Sequence, residues 1–361
     1  MRVLGRDSVK GDLKAIASLQ NLIGECTNDE LLIYARAFSQ FLNLANIAEQ
    51  EFNASQQIDD SVDTLFEHLK KSQKSPEDIY QAVNELHIDL VLTAHPTEVT
   101  RRTLIHKHAM LAECIRRQNR EQLNEQDKRQ LAHRVADLVA QAWHTEEIRN
   151  QRPTPVDEAT WGFSVIENSL WDAIPNFMRD LDLRLQHEYQ IKLPIDAKPV
   201  QISSWMGGDR DGNPFVTAET LRLALQRQAD VALRPYLSEV HALGSELSMS
   251  ATLVRVSADM QALAVLSPDQ NPHRQDEPYR RALTGVYARL AATLTELSGG
   301  QAARHALAPS EAYACAADFV HDLQTIDASL RENHAAALAD QRLRHLLRGP
   351  GLPLVRFNFI E

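Results

Sequence analysis

Long helical stretches broken by three short apolar runs predict a mainly α fold holding a few parallel β-strands. The runs lie near residues 88–94, 199–205 and 352–359, and the segments between them carry apolar residues at three- and four-residue spacing. Strands that alternate with helical excursions pair in parallel, and such βα units keep their chemistry where strands end and loops begin. The two motifs densest in special residues lie at the ends of the first two runs.

Taken in order, residues 1–87 read as an N-terminal helical segment. Thr27-Asn28-Asp29-Glu30 has the form of a capping box, and Leu31, Ala35, Phe38, Leu42 and Ala45 follow on one face. Ala54 to Asp63 is polar and reads as a loop, and Ser75-Pro76-Glu77-Asp78 opens a helix with Ile79, Val83 and Leu86 inward. Ile88 to Thr93 is rich in branched side chains and reads as a buried strand. A long helix then runs to about Arg116, and a second buries Leu131, Val135, Leu138, Val139 and Ala142 before Pro153 and Pro155 stop it. A third spans about Glu158 to Glu188, with Trp161, Phe163, Leu170, Trp171, Phe177 and Leu181 in the core. Thr217 caps a helix over about 218–247, Asp259 to Pro278 is loop-rich, and Tyr279 to Leu297 is helical again. Phe319, Leu323, Ile326 and Leu330 mark a further helix, and a last helical stretch ends at Gly349-Pro350-Gly351 ahead of a strand from Leu352 to Phe359.

Composition bounds the function classes. A chain of 361 residues suffices for two or more cores, and its 43% hydrophobic content is ordinary. No apolar run approaches a membrane span, and Met1-Arg2-Val3-Leu4-Gly5-Arg6-Asp7 lacks the core of a signal peptide, which points to a cytoplasmic protein. Cys26, Cys114 and Cys315 stand far apart on helices without metal-ligand spacing and read as reduced and structural. A net charge of −11 argues against general nucleic-acid binding, so an anionic substrate needs a local cluster of arginines.

Leu90 to Arg102 supplies such a cluster. His95 is delivered at a strand end, Pro96 turns the chain, and Thr97 or Thr100 caps a helix whose first turn carries Glu98, Arg101 and Arg102. Backbone N–H groups and two guanidinium groups beside an imidazole make an anion site with a proton-handling group. A lone histidine near a strand end is more often a satisfied structural residue. The second motif changes that balance: Gly207 to Pro214 packs three glycines, two aspartates, an arginine and a proline into eight residues. Its glycine stands fourth after Asp209, not sixth, which sets aside a calcium loop.

Thr93 to Glu98 reads TAHPTE, with Arg101-Arg102 after it, and Gly207 to Pro214 reads GGDRDGNP. With Trp143 to Arg149, Arg152 to Glu158 and Glu167 to Trp171 between them, the chain resembles phosphoenolpyruvate carboxylase from about Leu19 to about Val355. The resemblance implies an incomplete α/β (TIM-like) barrel with large helical insertions, residues 88–361 forming its first part. It implies formation of oxaloacetate and phosphate from phosphoenolpyruvate and bicarbonate, an anaplerotic carbon fixation feeding the tricarboxylic acid cycle. It further implies Mg²⁺, with ligands expected beyond Glu361, and a homotetramer. By the same resemblance His95 is catalytic, Arg210, Arg101 and Arg102 bind anionic groups, Trp205 lines the pocket, and Asp209 and Asp211 order the loop. The chain is expected to be the front part of such an enzyme, cut at both ends and lacking the C-terminal catalytic half. The alternative is an inactive fragment serving as a helical anion-binding or interaction module. A phosphotransfer role for His95 is disfavoured by Pro96.

Overall fold

A computed structural model of the chain describes residues 2–56, 60–93, 101–120, 122–146, 153–210, 212–335 and 339–349. Seven of the fourteen described α-helices start where a side-chain oxygen accepts from a free backbone N–H of the first turn. After α1 (Arg2–Val9), α2 (Leu13–Gly24) is capped by the Asp12 carboxylate. α3 (Asn28–Gln56) opens on the Thr27–Glu30 capping box, and Thr27 N donates to Glu30 Oε2 at 2.9 Å. α4 (Asp60–Ser72) leads to α5 (Pro76–Glu85), which starts on a capping box formed by Ser75 and Asp78. Then come β1 (Ile88–Leu92), α6 (Arg102–Arg120), α7 (Glu125–Trp143, capped by Asn124) and α8 (Pro155–Val165, capped by Thr154). α9 (Trp171–Tyr189), β2 (Val200–Ser204), α10 (Ala218–Glu246, capped by Thr217) and α11 (Ala258–Val265) follow. α12 (Pro278–Ser298), α13 (Ala316–Glu332) and α14 (Asp340–Arg348) complete the order.

The fold is mainly helical with one pair of parallel strands among the described residues. Three details differ from the sequence reading. Ala54 to Gln56 continues α3, and α4 starts at Asp60, since polar residues without glycine or proline are compatible with helix. The Asp259–Pro278 region holds α11, whose first turn is fixed by Met260 N donating to Ser257 Oγ and whose Met260 and Ala264 are buried. The helix expected from about Glu158 to Glu188 is broken by a wide π turn at Ile166–Leu170, where Trp171 N donates to Ile166 O. Pro175, which has no N–H and crowds the carbonyl four residues back, sits just beyond it. All three cysteines are free; Cys114 is buried in α6, while Cys26 and Cys315 lie at helix ends rather than within helices.

Two compact units form: Met1–Asp63 with Val99–Gln151, and Thr64–Glu98 with Arg152–Glu361. In the first, α3, α6 and α7 pack around Leu111, Cys114, Leu131 and Leu138, with Leu44 and Val135 beside them. The carbonyl end of α7 takes cations from both neighbours: Arg36 donates to the Trp143 carbonyl and, at 2.9 Å, to Thr145 O, and Lys107 Nζ donates to Gln141 O at 3.1 Å. In the second, the fully buried ring of Tyr236 on α10 meets Trp171 edge-on at 4.7 Å and Phe319 at 5.5 Å. Asp182 of α9 accepts from Arg344 at 3.0 Å and Arg348 at 3.4 Å, tying α14 down; Arg348 also donates to the Pro194 and Ile195 carbonyls.

β1 and β2 pair in parallel, in register from Ile88 opposite Val200 to Leu92 opposite Ser204. The expectation of a buried first strand fails: Ile88, Leu90 and Val91 are 40%, 39% and 41% exposed, whereas Ile202 of β2 is buried. Parallel sheets ordinarily have both faces covered. Among the described residues, β1 has no further strand beside it. The third expected strand, Leu352 to Phe359, lies outside those residues. No helix of the described residues is long and apolar enough to cross a membrane.

Candidate active site

Because the two strands are parallel and in register, their C-terminal ends coincide. Trp205 N donates to Leu92 O at 3.1 Å, so Thr93 and Trp205 leave the sheet side by side. A second tie lies one turn of the pleat earlier, where the Ser203 hydroxyl reaches both carboxylate oxygens of Asp89 at 2.7 and 2.6 Å. The sequence reading gave neither residue a role. A carboxylate in a strand that otherwise reads apolar was the available signal.

The segment after β2 is held from several sides. Ser204 Oγ accepts from Met206 N at 3.1 Å, and Gly208 N and Asp209 N both donate to Trp205 O at 3.0 Å. Gly207 has φ +78°, and a Cβ there meets the Ala224 Cβ of α10 at 2.5 Å, so a side chain is excluded both by conformation and by space. On the other side Gly162 of α8 lets the Met206 thioether lie against the helix backbone; a Cβ at Gly162 falls 2.1 Å from Met206 Cε. That glycine was visible only as an isolated one inside a helical pattern, which marks a close approach. Asn213 Oδ1 accepts from Phe215 N at 3.0 Å, and Thr220 Oγ1 donates to Phe215 O at 2.9 Å, fastening the loop to the start of α10.

The residues singled out by sequence take these places. Arg210 Nε donates to Val216 O at 2.9 Å, which closes the loop on itself and leaves the guanidinium at an exposed position. Trp205 is 59% exposed at the strand end. Both belong to the second unit. Arg101 belongs to the first unit, where its guanidinium pairs with Glu146 at 2.6 Å just past the end of α7. Arg102 opens α6, but its side chain lies outside the described ones. His95 and the residues from Ala94 to Thr100 lie outside the described residues, as does Asp211. The Asp209 side chain makes no hydrogen bond among the described residues. Order in this loop comes from its backbone, Arg210 and Asn213 instead.

The arrangement is a rigid strand end carrying an exposed arginine and an exposed indole, next to the exit of the strand that leads to His95. It can present cationic and flat apolar surface to an anion without rearranging. Among the described residues no group of three His, Cys, Asp or Glu side chains could hold a metal ion.

The family model of phosphoenolpyruvate carboxylase matches residues 2–357. The chain is 53% identical over 256 residues to a phosphoenolpyruvate carboxylase of Aeromonas hydrophila subsp. hydrophila, covering 69% of this chain and 29% of that protein. It is 52% identical over 259 residues to one from Tolumonas auensis, again 69% of this chain and 29% of the relative. Against the protein of Pectobacterium carotovorum subsp. carotovorum it is 41% identical over 367 residues, which is 99% of this chain and 41% of the relative. The chain thus spans between 29% and 41% of the length of these curated relatives. With a match of this extent on a fold that brings the exits of its two motif-bearing strands together, the chain belongs to the phosphoenolpyruvate carboxylase family.

Proposed function

We propose that this chain contributes the front part of a carboxy-lyase that forms oxaloacetate and phosphate from phosphoenolpyruvate and bicarbonate. The observation that carries the reading is the coincidence of the two strand ends, joined through Trp205 N and Leu92 O, from which the TAHPTE and GGDRDGNP motifs depart. In this reading bicarbonate attacks the phosphate to give carboxyphosphate and the pyruvate enolate, and the enolate then takes up the carbon dioxide released beside it. The first step gathers negative charge, which Arg210, Arg101 and Arg102 offset at the anionic groups. In the second, His95 manages the proton of the carboxyl group and helps hold the intermediate dry, while Trp205 lines the pocket for bicarbonate or carbon dioxide.

Residues 1–87 act as an N-terminal helical segment, and β1 and β2 are the first strands of a parallel β/α barrel within residues 88–361. The exposed faces of Ile88, Leu90 and Val91 support this, since further strands and helices of a barrel give them the cover that parallel sheets require. The working enzyme is a cytoplasmic homotetramer whose Mg²⁺ ligands lie outside the described residues. The reading is tested by joining the chain to the remaining part of a family relative and assaying oxaloacetate formation from phosphoenolpyruvate and bicarbonate with Mg²⁺, comparing the parent sequence with His95→Asn and Arg210→Gln. Activity that is lost in His95→Asn by about 100-fold or more, the range of general acid–base contributions, supports it; activity indifferent to His95 refutes it.

A further inference from the structure

In the second unit, α10, α12 and the segment around residues 304–307 enclose a cavity of about 300 Å³, at the small end of ligand sites. Its polar wall is cationic. Arg274, Arg280 and Arg304 line it together with the imidazoles of His241 and His305, and no carboxylate does. Arg274 pairs with Asp269 at 3.0 Å and Arg280 with Glu277 at 3.1 Å, and neither carboxylate belongs to the lining. Arg304 forms no ion pair among the described residues, although its carbonyl accepts from the Tyr287 hydroxyl at 2.9 Å and so fixes its backbone against α12. The remaining wall is mixed, with Ser245, Thr284 and Tyr287 beside the apolar Val240, Leu283 and Leu307.

Three guanidinium groups around one small volume repel one another, and in a chain of net charge −11 such a concentration is not a by-product of overall composition. The repulsion registers on His241: burial lowers its pKa first, and the charges of Arg304 and Arg280 lower it further. An anion relieves this directly, and guanidinium forks suit the paired oxygens of phosphate or carboxylate. We propose that the cavity binds a compact organic anion of charge −2 or more, its head held by Arg274, Arg280 and Arg304 and its carbon body set against Val240, Leu283 and Leu307. None of these residues belongs to the carboxylase chemistry assigned above, so this is a second site and stands independently of that reading.

Isothermal titration of the full chain at fixed ionic strength tests it, with phenyl phosphate, tricarballylate and singly charged benzoate as probes. One or both of the multiply charged probes bind one to one, and benzoate binds at least tenfold more weakly. Phenyl phosphate alone identifies a phosphate monoester, and tricarballylate alone a polycarboxylate. Arg304 is exposed and unpaired, so Arg304→Gln keeps the fold, which a circular dichroism spectrum checks, and weakens binding about tenfold through loss of one charge-assisted contact. Arg222→Gln, at an exposed pair with Glu219 elsewhere on α10, leaves it unchanged. Absence of binding by either multiply charged probe at millimolar concentration overturns the proposal. So does binding that survives Arg304→Gln, since that anion sits elsewhere.

Discussion

At the scale of single residues, the loop after β2 depends on positions where a side chain cannot stand. Gly207→Ala introduces a left-handed alanine whose Cβ also meets Ala224 at 2.5 Å. Backbone strain and overpacking together cost about 2–5 kcal/mol, read by chemical denaturation. Gly212→Ala, at φ +76° with nothing within 4 Å, pays only the backbone part, about 1–2 kcal/mol. Equal losses at both positions contradict the packing argument. This contrast was only half legible in the sequence. A run of glycines announces special backbone, but the partners that exclude a side chain, Ala224 for Gly207 and Met206 for Gly162, come from other elements. The same holds for Arg210, whose loop-closing bond to Val216 O is local, and for Arg101, whose partner Glu146 stands 45 residues away.

At the scale of elements, helix starts were the most legible feature, because a cap and its N–H partner lie within four residues: Thr27, Ser75 and Thr217 are examples. The first strand's exposure was not, since branched side chains report a preference for extended backbone and say nothing of what covers it. The docking of α14 was invisible for a related reason. Asp182 and Arg344 are 162 residues apart, yet one carboxylate serves two buried guanidinium groups. Asp182→Ala leaves Arg348 without an anion and Arg344 with Asp340 alone, and destabilises the second unit by about 3–5 kcal/mol, measured by thermal or denaturant unfolding. A loss below about 1 kcal/mol means the carbonyls of Pro194 and Ile195 suffice. His345 on α14 adds a pH dependence. Burial holds its pKa below the ordinary 6.5, outweighing the opposing charges of Glu239 and Asp172, while Arg342 and Arg179 push the same way as burial. The unfolded chain therefore takes up a proton near pH 6.5 that the folded chain resists, and stability falls as pH drops below that value. His345→Gln flattens this fall between pH 7 and 5 in melting-temperature scans; an unchanged slope assigns it to other groups.

At the scale of the whole molecule, the strand ends that lead to two motifs far apart in sequence become neighbours because β1 and β2 pair in parallel and in register. Family membership rests on a match across residues 2–357, and the proposed chemistry rests on that shared strand end. The parallel pair was foreseen from alternating strands and helices, while a closed barrel is a property of more strands than the described residues hold. The most direct measurement fuses this chain to the part of the Pectobacterium relative beyond the matched region and follows oxaloacetate formation from phosphoenolpyruvate and bicarbonate with Mg²⁺. The account predicts turnover by the fusion and its loss, by about 100-fold or more, on His95→Asn with the fold intact. A folded fusion that turns over equally well with and without His95, or not at all with it, contradicts the claim that this chain carries the carboxylase's proton-handling half-site.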